Sequence, residues 1–207
     1  MSRLGGVDIS FTDSGAIGCL VILDRATLAL LHVQFTPLLA GLAEPYVAGH
    51  LADREAAVYV ELLKECKQNN YQFYPDLLFV DGNGQWHPLR YGLACKVGEA
   101  LDIPCIGIAK NMLHIPSDQI SKQCIQSYEP IKGHFQRIIG KSHFVYGAVV
   151  CTRNLTKPIY VSIGYKISLE DAISETLACS KTRIPEPTRL ADIYSRQELQ
   201  KCLQTRR

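Results

Sequence analysis

The chain has no long apolar run, no internal repeat and no Cys-x-x-Cys pair. Without a run of about 20 apolar residues it has no candidate membrane span, so no membrane partner is expected. The opening residues, MSRLGGVDIS, do not form a secretory signal. The eight cysteines are scattered through apolar segments, which predicts reduced core thiols rather than disulfides or a zinc site. These absences together predict an intracellular protein.

The chain also has little excess of charge of one sign, because its formal net charge is only +2. That value does not by itself indicate a nucleic-acid-binding protein, and it does not exclude one. The chain has 207 residues, of which 47% are hydrophobic, and no Pro-, Gly- or Ser-rich linker divides it. This composition predicts one well-filled domain over residues 1–207.

The order of apolar patterns predicts an α/β fold. Three short strand-like segments separated by turn residues predict an antiparallel meander: GGVDISF, AIGCLVILD and LALLHVQF. The period then becomes helical over LADREAAVYVELLKECKQ, and two buried strands, PDLLFVD and IPCIGIAK, enclose a helix in YGLACKVGEALD. The prediction is a mixed sheet, with an antiparallel meander followed by parallel strands, flanked by helices.

Four elements are predicted downstream. HFVYGAVVCT and KPIYVSIG have the pattern of further strands. A helix is predicted in SLEDAISETLACSK, with Ser168 as its N-cap and Asp171 three residues later. A terminal helix is predicted in SRQELQKCLQ, beginning at Ser195.

Asp8 lies inside the first predicted strand, between two apolar residues. Asp is a poor strand former, and a central strand gives its carboxylate little contact with water. A frayed strand, or a local contact with Ser10, is the alternative to a functional role.

Glu55 lies on the apolar face of the first predicted helix, at helical spacing from Tyr59, Leu62 and Cys66. A carboxylate on that face is costly unless it is paired or bound to a cation. A buried ion pair with Arg90 is the alternative, and the pattern alone leaves both open.

Asp81 and Lys110 each stand where a predicted parallel strand ends. Ligands of open α/β sheets gather outside the carboxyl ends of the strands. Each residue alone has a simpler explanation, as a helix cap or as a lysine reaching solvent. Together with Asp8 and Glu55, they predict a site for a hard divalent cation such as Mg²⁺ and for phosphoryl chemistry.

Gly82 and Gly84 follow Asp81 directly. A backbone without side chains lets a ligand approach closely and exposes its N–H groups, although a tight turn explains the same pair. A dinucleotide-binding domain is not indicated, because the full glycine pattern is missing at the first strand.

Five segments, spread from about Gly5 to about Arg196, together resemble the endonuclease V family, which nicks nucleic acid near deaminated purines. They are GGVDISF, EPYVAGHLADRE, LLFVDGNGQWHP, RYGLACKVGEALDIPCIGIAKNML and RIPEPTRLAD. The resemblance implies a ribonuclease H-like fold. It also implies Mg²⁺-dependent hydrolysis, with Mn²⁺ as a substitute, of the second phosphodiester on the 3′ side of inosine, leaving a 3′-hydroxyl and a 5′-phosphate.

The resemblance further implies roles for individual residues. The catalytic residues fall on Asp8, Glu55, Asp81 and Lys110, and the metal ligands on Asp8, Asp81 and Glu55. A wedge that holds the target base out of its stack falls on Pro45, Tyr46 and Val47. The base pocket falls on Gly49, Leu51, Gly82, Gly84 and Leu113. His87 falls near the scissile phosphate, with a simple turn residue as the alternative.

Two features depart from the family pattern. A segment that usually precedes the GGVD strand is expected to be missing, since Met1 is almost adjacent to it. Tyr165 stands where the family usually carries a histidine. If that imidazole assists metal or phosphate binding, the tyrosine predicts reduced activity.

Two functions remain open. The first is an endonuclease acting on inosine in single-stranded RNA, and also on deoxyinosine in DNA, located in the cytoplasm with a nuclear or nucleolar pool. The alternative is a catalytically weak inosine-RNA-binding protein, which Tyr165 and the missing segment favour. Against it stand the four charged residues, because a pure binder does not need so costly a cluster. The oligomeric state is not predicted.

Overall fold

The structure, a computed structural model, describes residues 2–13, 15–39 and 50–205, with the side chains of residues 50–54 outside the description. Its strands are β1 Arg3–Thr12, β2 Gly15–Asp24, β3 Leu30–Phe35, β4 Leu77–Asp81, β5 Cys105–Ala109, β6 Phe135–Ile139, β7 Val145–Val150 and β8 Ile159–Tyr165. Its α-helices are α1 His50–Asn69, α2 Leu93–Leu101, α3 Leu169–Ala178 and α4 Glu186–Thr205. Short 3₁₀ helices cover Tyr71–Phe73, Pro116–Asp118 and Lys122–Cys124.

The described strands form one eight-stranded sheet in the order β3-β2-β1-β4-β5-β8-β7-β6. β1, β2 and β3 form the predicted antiparallel meander. β4 and β5 run parallel to β1 and to each other, as predicted. β8 and β7 complete the far half with antiparallel pairing. The mixed sheet with helices on it is therefore confirmed.

Apolar side chains of the sheet pack against helices on both faces. Val7 and Ile9 of β1 belong to the core under α1 and α2, together with Tyr59 and Leu62. The opposite face packs against α3 and α4, where Ala191 of α4 contacts the buried side chains of β2. Because side chains alternate along a strand, Asp8 faces the α4 side while its two neighbours face α1.

The last helix differs from its prediction, since α4 begins at Glu186 and not at Ser195. Prolines on both sides of Glu186 hid this start, although proline is well tolerated in the first turn of a helix. This turn packs directly on β1, because a Cβ added at Gly6 would lie 2.1 Å from the carbonyl oxygen of Pro187. A glycine in β1 thus allows α4 to approach the strand that carries Asp8.

One further local prediction is confirmed, and one strand was not predicted. Ser168 caps α3, and its side chain accepts a hydrogen bond from the Asp171 amide at 3.0 Å, as predicted. β6 was not predicted, because its residues FQRII lie half exposed at the edge of the sheet and lack a clean apolar pattern.

All eight cysteines are free thiols, as the sequence predicts, and six of them are buried. None of the helices that the structure describes is long and apolar enough to span a bilayer.

Candidate active site

Strand register brings Asp8 and Asp81 together. Val7 of β1 pairs in parallel with Val80 of β4, so the next residue of each strand lies side by side at the same edge of the sheet. Lys110 follows β5, the next strand, and its Nζ lies 2.6 Å from Oδ2 of Asp81. The structure thus brings together three of the four residues that the sequence predicts to form a cation site, namely Asp8, Asp81 and Lys110.

Glu55 completes the group from α1. It is partly buried one turn before Tyr59, which is 2% exposed on the inward face of the helix, as predicted. The alternative pair with Arg90 is wrong. That guanidinium instead donates to Oγ of Ser142 at 2.9 Å and stacks over the ring of Phe144 at 4.3 Å.

Two carboxyl groups of this cluster, those of Asp8 and Glu55, have raised pKa values. Burial, with the nearby charge of Asp81, raises the pKa of Asp8 from 3.8 to about 7. Burial and Asp81 likewise raise the pKa of Glu55 from 4.5 to about 7. Burial acts to lower the pKa of the Lys110 ammonium, but its carboxylate neighbours outweigh burial and raise that pKa. The site therefore holds excess negative charge that a cation would relieve.

Helix α4 supplies two residues that the sequence reading missed. Oδ1 of Asp192 lies 3.9 Å from Nζ of Lys110. The fully buried Ser195 donates its hydroxyl to Oδ2 of Asp8 at 2.8 Å, and Ser10 Oγ lies 2.7 Å from Ser195 Oγ. Asp8 is 8% exposed in a fully formed strand, so it neither frays nor bonds locally to Ser10.

The signal for α4 was present in the sequence. Asp192 ends the RIPEPTRLAD segment, and Ser195 follows it by three residues, so both lie on one side of a helix that starts at Glu186. Placing the helix start at Ser195 concealed this face.

Arg183 holds the backbone that carries the active-site lysine. Its guanidinium donates to the carbonyl oxygens of Lys110 and Pro158, both at 2.8 Å, and to that of Lys157 at 3.0 Å. These three hydrogen bonds fix the Lys110 loop against the segment that precedes β8.

The two glycines after Asp81 allow close packing of the loop that follows β4. A Cβ at Gly84 would lie 2.0 Å from the carbonyl oxygen of Ile163, so only glycine fits against β8. The Gly84 amide donates to Oγ of Ser162 at 2.9 Å, and the Gly82 amide to the carbonyl oxygen of Ile108 at 2.8 Å. Both amides are therefore paired within the chain, and the assignment of Gly82 and Gly84 to the base pocket stays a prediction.

His87 and Leu113 lie on the two loops beside the cluster. Nδ1 of His87 accepts the Leu89 amide at 3.2 Å, a local turn contact, and burial followed by the charge of Lys96 lowers the pKa of the imidazole. The carbonyl oxygen of Leu113 accepts the indole N–H of the fully buried Trp86 at 3.0 Å. This bond ties the loop after Asp81 to the loop after Lys110.

The wedge and part of the base pocket cannot be placed. Pro45, Tyr46, Val47 and Gly49 lie outside the described residues. Leu51 lies in α1, but its side chain is outside the description. Their roles stay predictions.

Tyr165 lies beside the amino end of β5, whereas the cluster lies at the carboxyl ends of β4 and β5. It pairs with Cys105, the first residue of β5, whereas Lys110 follows the last residue of that strand. Five residue steps along a strand separate the two edges by ~16 Å. The Tyr165 hydroxyl instead donates to Oδ1 of Asp102 at 3.1 Å, so the idea that residue 165 assists metal or phosphate binding is wrong.

The cluster suits a hard divalent cation in its chemistry. Asp8, Glu55 and Asp81 offer only oxygen donors, which Mg²⁺ and Mn²⁺ prefer. Within the ranges that the structure describes, no group of three His, Cys, Asp or Glu side chains is already arranged to hold a metal ion.

A buried acidic cluster with one lysine, at the carboxyl ends of neighbouring strands, is the arrangement of a phosphodiester-cleaving nuclease. The family model for Endonuclease V matches residues 1–193. The chain belongs to the endonuclease V family.

Three relatives show how similar the chain is to other members of that family. Human Endonuclease V is 34% identical over 98% of this chain and 73% of its own length, and its crystal structure superposes with a TM-score of 0.88. Mouse Endonuclease V is 36% identical over 98% of this chain and 61% of its own length. Ciona intestinalis Endonuclease V, whose crystal structure is in complex with a 24mer DNA containing an inosine followed by a ribo-adenosine, is 31% identical. The match covers 97% of this chain and 87% of that one, with a TM-score of 0.87.

The position of Tyr165 gives a direct prediction. Tyr165→His should leave the cleavage rate of an inosine strand unchanged, because the ring lies at the far edge of the sheet. Single-turnover cleavage of the parent and the variant checks this. A several-fold rise in rate would mean that the imidazole reaches the reaction after all.

Proposed function

We propose that this chain is a Mg²⁺-dependent endonuclease that cleaves inosine-containing single-stranded RNA, with inosine-containing DNA as a second substrate. It hydrolyses the second phosphodiester on the 3′ side of inosine and leaves a 3′-hydroxyl and a 5′-phosphate. Mn²⁺ substitutes for Mg²⁺. We also propose a cytoplasmic location, which the free and mainly buried thiols support.

The observation that carries this proposal is the cluster of Asp8, Glu55, Asp81 and Lys110. The carboxyl groups of Asp8 and Glu55 have a pKa of about 7, far above the ordinary value, because burial and the charge of Asp81 oppose their ionisation. A protein that gained nothing from this cluster would lower its own stability by keeping it.

Each residue has a distinct task in the proposed reaction. Asp8, Asp81 and Glu55 would hold the Mg²⁺ ion, which supplies positive charge against the phosphate. Lys110, already 2.6 Å from Asp81, offers a compact cation that steadies a phosphate oxygen or orients the attacking water. Ser195 fixes one carboxylate oxygen of Asp8, and Arg183 fixes the backbone of Lys110.

The choice of substrate is supported by a relative. The DNA bound to Ciona intestinalis Endonuclease V contains an inosine followed by a ribo-adenosine. A ribonucleotide at that place is consistent with a substrate in which the sugar next to inosine carries a 2′-hydroxyl, the group that distinguishes RNA from DNA.

One experiment tests the proposal. Matched single strands that differ only in inosine or adenosine, made as RNA and as DNA, are incubated with the protein in Mg²⁺ or in EDTA. We expect cleavage only of the inosine strands and only with Mg²⁺, faster on RNA, at the second bond 3′ to inosine. Cleavage that survives EDTA would refute the requirement for a metal ion. Equal cleavage of the adenosine strands would refute the specificity for inosine.

The alternative, an inosine-RNA-binding protein with weak catalysis, is not favoured. Tyr165, which suggested it, lies away from the cluster, and the four charged residues are intact. The same experiment decides, because tight binding without cleavage in Mg²⁺ would select the alternative.

Ser195→Ala provides a finer prediction. Removing the hydroxyl frees the Asp8 carboxylate to turn, so we expect the Mg²⁺ concentration for half-maximal cleavage to rise about 10- to 100-fold. Calorimetric titration with Mg²⁺ should show a matching loss of affinity.

Ser180→Ala is the matched control. Ser180 is also buried and donates one hydrogen bond, to the Thr176 carbonyl oxygen at 2.6 Å, but outside the cluster. Both variants should lose roughly 1–3 kcal/mol of unfolding free energy. If their Mg²⁺ dependence is the same, Ser195 serves stability alone.

A further inference from the structure

A cavity of about 460 Å³ lies in the long loop that follows β5 and Lys110. Its volume falls within the range of about 300–1,000 Å³ that is usual for ligand sites. Of the described residues that line it, none carries a carboxylate, an ammonium or a guanidinium group. An uncharged lining suits an uncharged ligand better than a phosphate or a metal ion. The lining includes His114, Pro116, Gln119, Ile120, Gln123 and Gln126.

The polar side chains at this cavity are not used by the fold. Within the part of the chain that the structure describes, the imidazole of His114 makes no hydrogen bond, and neither do the carboxamides of Gln119, Gln123 and Gln126. A carboxamide has both N–H donors and an acceptor oxygen, so it can meet the edge of a nucleobase with two hydrogen bonds. The imidazole is a planar ring on which an unpaired base can stack. The lining therefore matches an unpaired nucleobase.

The backbone around the cavity is fixed by hydrogen bonds of its own. Ile115 and Ile120 exchange amide–carbonyl bonds at 2.9 and 3.0 Å, and both side chains are buried. The carboxamide of Gln136, on β6, accepts the Gln126 amide at 3.1 Å and donates to the carbonyl oxygen of Cys124 at 2.7 Å. Because the backbone is already ordered, little free energy is lost in ordering it when a ligand binds.

The cavity lies a short distance from the active site. His114 follows Lys110 by four residues, so their Cα atoms are at most ~14 Å apart. Leu113 precedes His114, and its carbonyl oxygen accepts the Trp86 indole N–H at 3.0 Å, which holds this loop against the loop after Asp81. A stacked strand advances ~3.4 Å per nucleotide, so a strand held at Lys110 can reach His114 within about four nucleotides.

We propose that this cavity binds one unpaired base of the substrate strand, within about four nucleotides of inosine, with the base packed on the imidazole of His114 and hydrogen-bonded by the glutamine side chains. The inference rests on the proposed function, because it assumes that an inosine strand lies across the acidic cluster. It adds a contact to a base other than inosine. Binding then depends on which base flanks inosine and on that base being unpaired.

Inosine RNA strands that carry one abasic nucleotide test this contact. The abasic nucleotide is placed in turn at each position up to about four nucleotides from inosine on either side, and affinity is measured in EDTA so that no cleavage occurs. The parent should bind about 5- to 150-fold more weakly when the base that enters the cavity is missing. His114→Ala should bind the unmodified strand more weakly than the parent and should lose most of the abasic penalty at that one position.

His114→Phe guards against a folding artefact. It keeps a planar ring, so it should bind the unmodified strand like the parent and should keep the abasic penalty.

Substitutions of the three glutamines by leucine, made singly, test the hydrogen bonds. Leucine keeps much of the volume of the side chain without its donors and acceptor, so at least one variant should reduce the preference among the four bases at that position by about 2- to 10-fold. Gln72→Leu is the control for Gln123→Leu, because Gln72 is also an exposed glutamine at the middle of a 3₁₀ helix, Tyr71–Phe73, which precedes β4. It should bind every strand like the parent.

The outcomes separate this inference from the proposed function. If no abasic position weakens binding to the parent, or if His114→Ala keeps the full penalty at every position, no base lies in the cavity and the inference is overturned. If all three leucine variants keep the base preference of the parent, the glutamines do not read the base and that part of the inference is wrong. Equal cleavage of inosine and adenosine strands by the parent would instead refute the proposed function, whatever the abasic strands show.

Discussion

Asp81→Ala is expected to abolish cleavage while leaving the binding of inosine strands intact. The carboxylate ends β4 beside Asp8 and 2.6 Å from Lys110, and no other residue stands at that strand end to replace it. Positive charge placed against a phosphate is worth several kcal/mol, so the rate should fall at least about a thousandfold. Binding should hold or tighten, because one negative charge facing the phosphates is removed.

Single-turnover rates and gel-shift affinities at one salt concentration check both parts. Asp102→Ala is the matched control, because this aspartate lies at the opposite edge of the sheet, where it accepts from Tyr165 and Lys166. It should keep full cleavage.

Tyr46→Ala should show the reverse of Asp81→Ala, with weaker binding and a rate that saturating substrate restores. Loss of binding by Asp81→Ala with binding kept by Tyr46→Ala would mean that the two roles are exchanged.

Asp8→Asn should abolish cleavage and yet stabilise the protein at neutral pH when no divalent cation is present. Folded Asp8 has a pKa of about 7, and the unfolded chain has the ordinary value of 3.8. Between these two values the folded state keeps a proton that the unfolded state releases. The unfolding free energy therefore falls as pH rises from about 4 to about 7 and is level above that.

The asparagine variant lacks this loss, because its amide does not titrate. At pH 8 it should exceed the parent by up to roughly 4 kcal/mol in unfolding free energy, and near pH 4 the two should be similar. Urea denaturation in EDTA across this pH range measures the difference. Equal pH dependence of the two proteins would show that Asp8 ionises freely in the folded state.

Asp24→Asn is a control for which the opposite change in unfolding free energy is expected. The hydroxyl and amide of Thr27 hydrogen-bond to the Asp24 carboxylate and lower its pKa, although burial opposes them. A lowered pKa gives stability that is present above the unfolded value and is lost as pH falls. This variant should therefore be less stable than the parent at pH 8, where Asp8→Asn is more stable.

The sequence predicted the central strands well because their signals are local. A continuous apolar run ending in a charge, as in LLFVD and CIGIAK, marks both a buried strand and the residue at its end. The register that sets Asp8 beside Asp81 is not local, but parallel strands entering one sheet leave few other arrangements.

The residues that were missed depend on contacts distant in sequence. Ser195 reaches Asp8 across 187 positions, and the contact exists only because Gly6 lets the first turn of α4 lie against β1. Tyr165 is the opposite case, a residue that was linked to the active site but lies away from it. No local sequence pattern indicates at which end of the neighbouring strands Tyr165 lies. Only the antiparallel direction of β8 decides this, and strand direction is set by the tertiary fold.

The burial of the thiols makes the protein selectively reactive toward alkylating dyes. Burial raises the pKa of Cys66 to about 11 and that of Cys179 to about 12, so these thiols are neutral and shielded at neutral pH. Only Cys124 and Cys202 are partly exposed. Cys202 lies near the end of α4, the helix that carries Asp192 and Ser195. The unaltered chain thus offers one attachment point for a fluorophore on α4 and a second one, at Cys124, in a separate 3₁₀ helix.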